Sequence, residues 1–234
     1  EILVNVGPVE KRIAILEDRK LVEILFDRDS STSLVGNIYK GRVENVLPGI
    51  QSAFIDIGLE KNVFLHIKDA LPLATDDEQS KARIQDLLQP GQQILIQITK
   101  ESLGTKGPRG TCKLSLAGRY LVLLTKKNHV GVSRRIEDNK ERNRLRDLAK
   151  DILPEDKGLI VRTVAADKRD EVLQNDLKFL LNLWENIEEE ADKFRAPKLI
   201  YKSLTLVEQV VRDEFTSNVD KLIIDTREDY KQVI

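Results

Sequence analysis

Alternation with a period of two, interrupted every few residues by turn chemistry, is what most limits how residues 37–116 can fold. Ala53, Ile55 and Ile57 alternate with Phe54, Asp56 and Gly58, so a strand here turns an aliphatic face one way and a mixed face the other. Asn37–Val46 is a β-rich run closed by Pro48-Gly49, and Asn62–Ile67 follows a short Gly-Leu-Glu-Lys turn. Beyond a helical patch, Gln93–Thr99 and Thr111–Leu116 add two more runs. Five short strands match a small OB-type barrel, an architecture that commonly binds single-stranded nucleic acid.

The aliphatic face is expected in the barrel core, which leaves Phe54 and Phe64 as candidate stacking platforms for bases. A barrel phenylalanine can equally be a core residue, and spacing alone leaves both readings open.

Charge bears on this choice, because a nucleic-acid binder needs cations where the strand lies. The 234 residues carry a net charge of −1, so any positive surface must be local. Lys100, Lys106, Arg109, Lys113, Arg119, Lys126, Lys127, Arg134 and Arg135 share one span with Glu101 as its sole acid. Asp76–Glu78 and Glu185–Glu190 carry much of the opposing charge, and a plain solvated face is the alternative for each run. The single cysteine, Cys112, excludes an internal disulfide and a multi-cysteine zinc site within one chain, and fits a reducing compartment. His66 and His129 lack ligand-like spacing. No apolar run reaches membrane-spanning length and no charged-then-apolar leader is present, so a cytoplasmic protein is expected. The start at Glu1 rather than Met suggests a trimmed or processed end.

At the start of the chain, Glu1–Gly7, Lys11–Glu17 and Leu21–Arg28 read as strands, the last two joined by a turn over Glu17–Lys20. They cannot close a core alone. At the other end, Thr205-Leu206-Val207-Glu208 is a capping box opening a helix to about Phe215, followed by an apolar strand over Lys221–Asp225. The two ends are therefore expected to complete one α/β domain, with the barrel inserted in it. Between them lie an expected strand over Arg119–Thr125 and a helix over Asp138–Leu153. A strand over Gly158–Thr163 follows, then a long helix from about Lys168 to Lys193 with Leu173, Leu177, Leu180, Leu181, Trp184 and Ile187 as its buried stripe.

Arg162-Thr163 ends its strand in a cation and a hydroxyl. A guanidinium offers a planar pair of donors that match two phosphate oxygens, and a hydroxyl can add a third, although a strand-ending arginine is often merely solvated. Asp225, at the end of an apolar strand, reads as a strand cap rather than a metal ligand.

Six stretches occur in an order that resembles the ribonuclease E/G family, with details closer to its ribonuclease G branch. They are Asn37–Val43, Ala53–Gly58, Gly104–Gly107, Arg119–Val122, Gly131–Glu137 and Gly158–Thr163. The resemblance implies an α+β multidomain fold. An RNase H-like α/β domain, residues 1–34 and 204–234, would be split around an S-one-type OB β-barrel, 35–117, and an α/β 5′-sensor region, 118–203. A DNase I-like catalytic domain would lie beyond Ile234. The resemblance assigns RNA binding to Phe54, Phe64 and Lys106, and a 5′-monophosphate pocket to Arg162 and Thr163 with Arg134 beside them. It implies a magnesium-dependent endoribonuclease of rRNA maturation and mRNA decay, with single-stranded RNA bearing a 5′-monophosphate as partner. The whole protein would be a homo-oligomer. The magnesium ligands, and those of a zinc site between protomers, would also lie beyond this chain, leaving no catalytic residue within it. Pro108, Gly110 and Cys112 depart from the family pattern after Lys106. A free-standing OB module without nuclease activity is the alternative function.

Overall fold

The computed structural model describes residues 1–28, 33–71, 82–125, 129–216 and 218–233. Lys126, Lys127 and Asp76–Glu78, named above for their charge, lie outside these residues. Contacts divide the chain into two units, Leu34–Lys202 and one drawn from both ends, Glu1–Ser33 with Ser203–Ile234. Among the described residues no helix is long and apolar enough to cross a membrane.

The unit drawn from both ends is built on β1 (Ile2–Val6), β2 (Lys11–Glu17) and β3 (Lys20–Asp27), an antiparallel meander. Asp18 and Arg19 turn the β2–β3 hairpin with φ of 48° and 62°, the positive pair that matches the twist of the flanking strands. Strand β14 (Leu222–Ile224) joins the free side of β1 in parallel, with Ile2 opposite Leu222 and Val4 opposite Ile224. Ile2, Val4 and Ile13 are buried against Val207 and Val210 of α5 (Leu206–Glu214), which supplies the core that the strands lack alone. The capping box forms: the Glu208 amide donates to Thr205 Oγ1 at 3.4 Å and the Thr205 amide to Glu208 Oε2 at 2.6 Å. Asp225 accepts from Asn5 Nδ2 at 2.6 Å and from the Val6 amide at 2.9 Å, tying the end of β14 to β1. The last helix is α6 (Arg227–Val233).

In the other unit, β4 (Ile38–Leu47), β5 (Ser52–Asp56), β6 (Val63–His66), β8 (Arg109–Thr111) and β7 (Gln93–Lys100) hydrogen-bond in that order, and β7 pairs back onto β4. This closes a five-stranded OB-like barrel, antiparallel except at β6–β8. The first half of β4 pairs with β7 and the second with β5, so the strand must bend. Gly41 stands at that bend, where a Cβ would lie 2.5 Å from Ile55 Cγ2, and a register shift between Val43 and Asn45 completes it. Alternation places Val43, Ala53, Ile55, Ile57, Val63, Leu65, Ile94, Ile96 and Ile98 inside. Helices α1 (Ile67–Ala70) and α2 (Ile84–Leu87) bury Ala70 and Ile84 against the same core.

The single strand expected over Thr111–Leu116 is two strands in two sheets. Thr111 ends β8, while β9 (Ser115–Ala117) pairs with β10 (Leu121–Leu124). The amides here turn away from a common ladder: Cys112 N–H donates to Asp69 O, Lys113 N–H to Thr111 Oγ1 and Ser115 N–H to Gln97 Oε1. The second sheet runs β11 (Val130–Val132), β12 (Gly158–Val161), β10, β9. Helices α3 (Asn139–Ile152) and α4 (Asp170–Lys193) lay Leu145, Leu173, Leu177, Leu180, Trp184 and Ile187 on it. Strand β13 (Lys198–Tyr201), which follows α4, pairs antiparallel with β4 and adds to the barrel sheet.

Candidate nucleic-acid interface

Strand register decides what stands beside the two phenylalanines. Asn45 of β4 pairs with Phe54, Phe54 with Phe64, Phe64 with Arg109, and Arg109 with Lys100. One row thus crosses all five barrel strands. Ala53, Ile55, Val63 and Leu65, the sequence neighbours of the two rings, are 0% exposed, so the row lies on the outside of the barrel. The rings are half-buried against each other, edge to face, with centroids 5.9 Å apart. Arg109 Nη2 donates to Asp69 Oδ2 of α1 at 2.8 Å, which steadies the guanidinium beside Phe64. An aromatic pair flanked by cations can stack bases while neighbouring charges meet the phosphates.

Lys106 is exposed on the loop between β7 and β8. Leu103 and Lys106 exchange main-chain hydrogen bonds across Gly104, whose φ of 57° the turn requires. Lys61 Nζ donates to Gly104 O at 2.7 Å, and a Cβ on Gly107 would lie 2.2 Å from Asn62 O. The Lys106 loop is therefore stitched to the start of β6. Gly110 is equally constrained, since its Cβ would meet Ile96 and Val63 at 2.6–2.7 Å. The departures from the family pattern at Pro108, Gly110 and Cys112 are buried positions.

Arg162 and Thr163 follow β12, which pairs in parallel with β11, so the residues leaving the ends of these two strands are side by side. Ser133 and Thr163 hydroxyls meet at 2.8 Å, and the Arg135 amide donates to Ser133 Oγ at 3.3 Å. Arg134, exposed, sits on this same short loop. Arg162 Nη1 donates to the carbonyl oxygens of Gly118 at 2.8 Å and Arg119 at 3.1 Å, which sets the plane of the guanidinium. The three residues named for a phosphate therefore fall on two adjoining loops. Glu141 of α3 holds the turn that follows Thr163: it accepts from Arg144 and from the Asp167 amide, while Arg144 also reaches Asp170 and Lys168 O. The Arg144 hydrogen bond holds the Glu141 carboxyl below its usual range, burial opposing and the Asp167 amide assisting.

Some participants were not singled out from sequence. Arg109 and Lys100 were visible only as members of a basic run, because their alignment with the rings is a matter of register between strands. Ser133 is legible only through its partner. Asp176, whose carboxylate accepts from the amides of Arg119, Tyr120 and Leu121, carries no local signal at all.

Residues 115–234 match the profile of the "Ribonuclease E/G family". Ribonuclease G of Haemophilus influenzae is 41% identical over 97% of this chain, which covers 48% of that protein. Ribonuclease G of Escherichia coli strain K12 is 38% identical over 100% of the chain, covering 49% of it, and ribonuclease E of a Nostoc species is 41% identical over 95%, covering 33%. The chain thus spans about half the length of the curated ribonuclease G relatives it matches. With the profile reaching across half of the sequence, over the second sheet, α4 and the returning end, the chain belongs to the ribonuclease E/G family.

Proposed function

We propose that this chain is the RNA-recognition half of an endoribonuclease that grips single-stranded RNA on the barrel and reads a 5′-monophosphate end at Arg162, Thr163 and Arg134. The observation that carries the reading is the outward Phe54–Phe64 pair in register with Arg109 and Lys100. A single strand can lay bases on such a pair, whereas a duplex keeps its bases stacked within itself. In this proposal the unit drawn from both ends is the RNase H-like domain, the barrel is the S-one-type domain, and the second sheet with its helices is the 5′ sensor. The whole protein would be a cytoplasmic homo-oligomer acting in rRNA maturation and mRNA decay.

Among the described residues no group of three or more His, Cys, Asp or Glu could hold a metal ion, and Asp225 is bonded to Asn5 and Val6. In this proposal Phe54, Phe64, Lys106, Arg162, Thr163 and Arg134 serve recognition.

The test is fluorescence anisotropy with an unstructured RNA and a matched duplex. Phe54→Ala or Phe64→Ala should weaken single-strand binding by about 1–3 kcal/mol each. The Tm should change little, because neither ring fills the barrel core. A large fall in Tm with unchanged affinity per folded molecule would give the rings a purely structural role.

A further inference from the structure

The main chain at Gly118–Leu121 is held from two sides. On one side Arg162 bonds to it, with Nη1 donating to Gly118 O at 2.8 Å and Arg119 O at 3.1 Å, and the Arg162 amide donating to Tyr120 O at 2.8 Å. On the other side stands Asp176 of α4. Its Oδ1 accepts from the Arg119 amide at 3.2 Å, and its Oδ2 from the amides of Tyr120 and Leu121, both at 2.9 Å. Three consecutive N–H groups converging on one carboxylate form a charge-assisted set, among the stronger hydrogen bonds available to a side chain. Gly118 is part of the same contact. A Cβ there would lie 2.6 and 2.8 Å from the carboxylate oxygens, so close approach to Asp176 is what demands a glycine.

These bonds share peptide units. The Arg119 amide and the Gly118 carbonyl belong to one planar group, as do the Tyr120 amide and the Arg119 carbonyl. Asp176 therefore fixes the two carbonyls that fix Arg162. We infer that Asp176 is a positioning residue: acting through the Gly118–Tyr120 main chain it sets the Arg162 guanidinium, and so sets the discrimination between RNA with a terminal 5′-phosphate and RNA without one. The inference rests on Arg162 being the phosphate-reading residue proposed above. Asp176 does not meet the RNA itself.

The experiment uses the 234-residue chain with two RNAs of one sequence, ending in a 5′-monophosphate or a 5′-hydroxyl. The ratio of their Kd values is measured together with the Nε–Hε NMR signal of Arg162. Asp176→Asn keeps the side chain's shape but replaces an accepting oxygen with a donor. It should lower the ratio by about tenfold, the equivalent of one charge-assisted hydrogen bond, and shift or broaden the Arg162 signal. Binding of the 5′-hydroxyl RNA, which relies on the barrel, should not move. Gly118→Ala should act in the same direction. In an Asp176→Ala background it should add nothing, since the carboxylate it collides with is gone. Should Asp176→Asn not fold, Gly118→Ala and Asp176→Glu carry the same expectation.

An Asp176 variant that keeps the wild-type ratio and the wild-type Arg162 signal, while Arg162→Ala abolishes the ratio, would overturn the inference and leave the phosphate reading standing. An equal loss for both RNAs would make Asp176 a structural anchor and overturn it too. If Arg162→Ala itself preserves the ratio, the phosphate reading fails, and the inferred control of discrimination fails with it.

Discussion

Glu141 shows how far one side chain reaches into the candidate site. It receives two hydrogen bonds from Arg144, at 2.8 and 2.7 Å, and one from the Asp167 amide at 3.0 Å, pinning the turn that follows Thr163. That turn includes Asp167 with φ of 59°, a left-handed conformation that non-glycine residues rarely adopt without help from neighbours. The carboxyl is held below its usual value of 4.5, chiefly by Arg144, whereas in the unfolded chain it titrates near that value. A lowered folded value means the contribution is full above about 4.5 and is lost as pH falls through the lower, folded value. Glu141→Gln should therefore lower the Tm at neutral pH, and the gap to wild type should narrow once the pH drops below 4.5. Thermal melts across that range check this, and a constant gap would place the variant's cost in lost shape rather than charge. Residues of this kind are poorly legible in sequence. Period two sets Phe54 on the face opposite Ala53, Ile55 and Ile57 but leaves open whether that face is core or surface, and Asp176 lies more than 50 residues from the amides it holds.

Elements whose partners are local were the readable ones. The alternation Ala53, Ile55, Ile57 fixes a strand face without knowledge of its neighbours, and the stripe from Leu173 to Ile187 fixes the buried side of α4. Strand β13 was missed because Lys198–Tyr201 is short and mixed in polarity, and becomes a strand only by pairing with β4. The break between β8 and β9 was missed because it depends on Gln97, which accepts the Ser115 amide across 18 residues. The capping box of α5 lies at the other extreme, being written wholly within four residues. Thr205→Ala removes the oxygen that accepts the Glu208 amide and the hydroxyl that donates to Glu208, and should cost about 0.5–2 kcal/mol in denaturant unfolding. RNA affinity should be unaffected, because the barrel and the phosphate site both belong to Leu34–Lys202. A cost well below that range would mean that burial of Val207 and Val210, rather than the cap, secures the helix.

Taken over the whole molecule, a net charge of −1 gives no general attraction to a polyanion, so binding must depend on where the cations stand. The barrel gathers Lys100 and Arg109 into the row with the rings and adds Lys106 on the loop beside it. Glu185, Glu188 and Glu189 are exposed on α4. If those three barrel cations each meet one phosphate, log K for a 5′-hydroxyl single strand should fall with log salt at a slope of about −2, taking roughly −0.7 per contact. Lys106→Ala should reduce that slope by roughly 0.7, and Arg109→Ala by the same amount. Phe54→Ala, which removes stacking and no charge, should lower affinity at every salt concentration and leave the slope alone. A titration of one RNA across a salt series, with wild type and the three variants, separates these effects. A slope unchanged in both cation variants would mean that the phosphates run elsewhere on the barrel, and a slope that falls in Phe54→Ala would mean that the ring holds Arg109 in place instead of stacking a base.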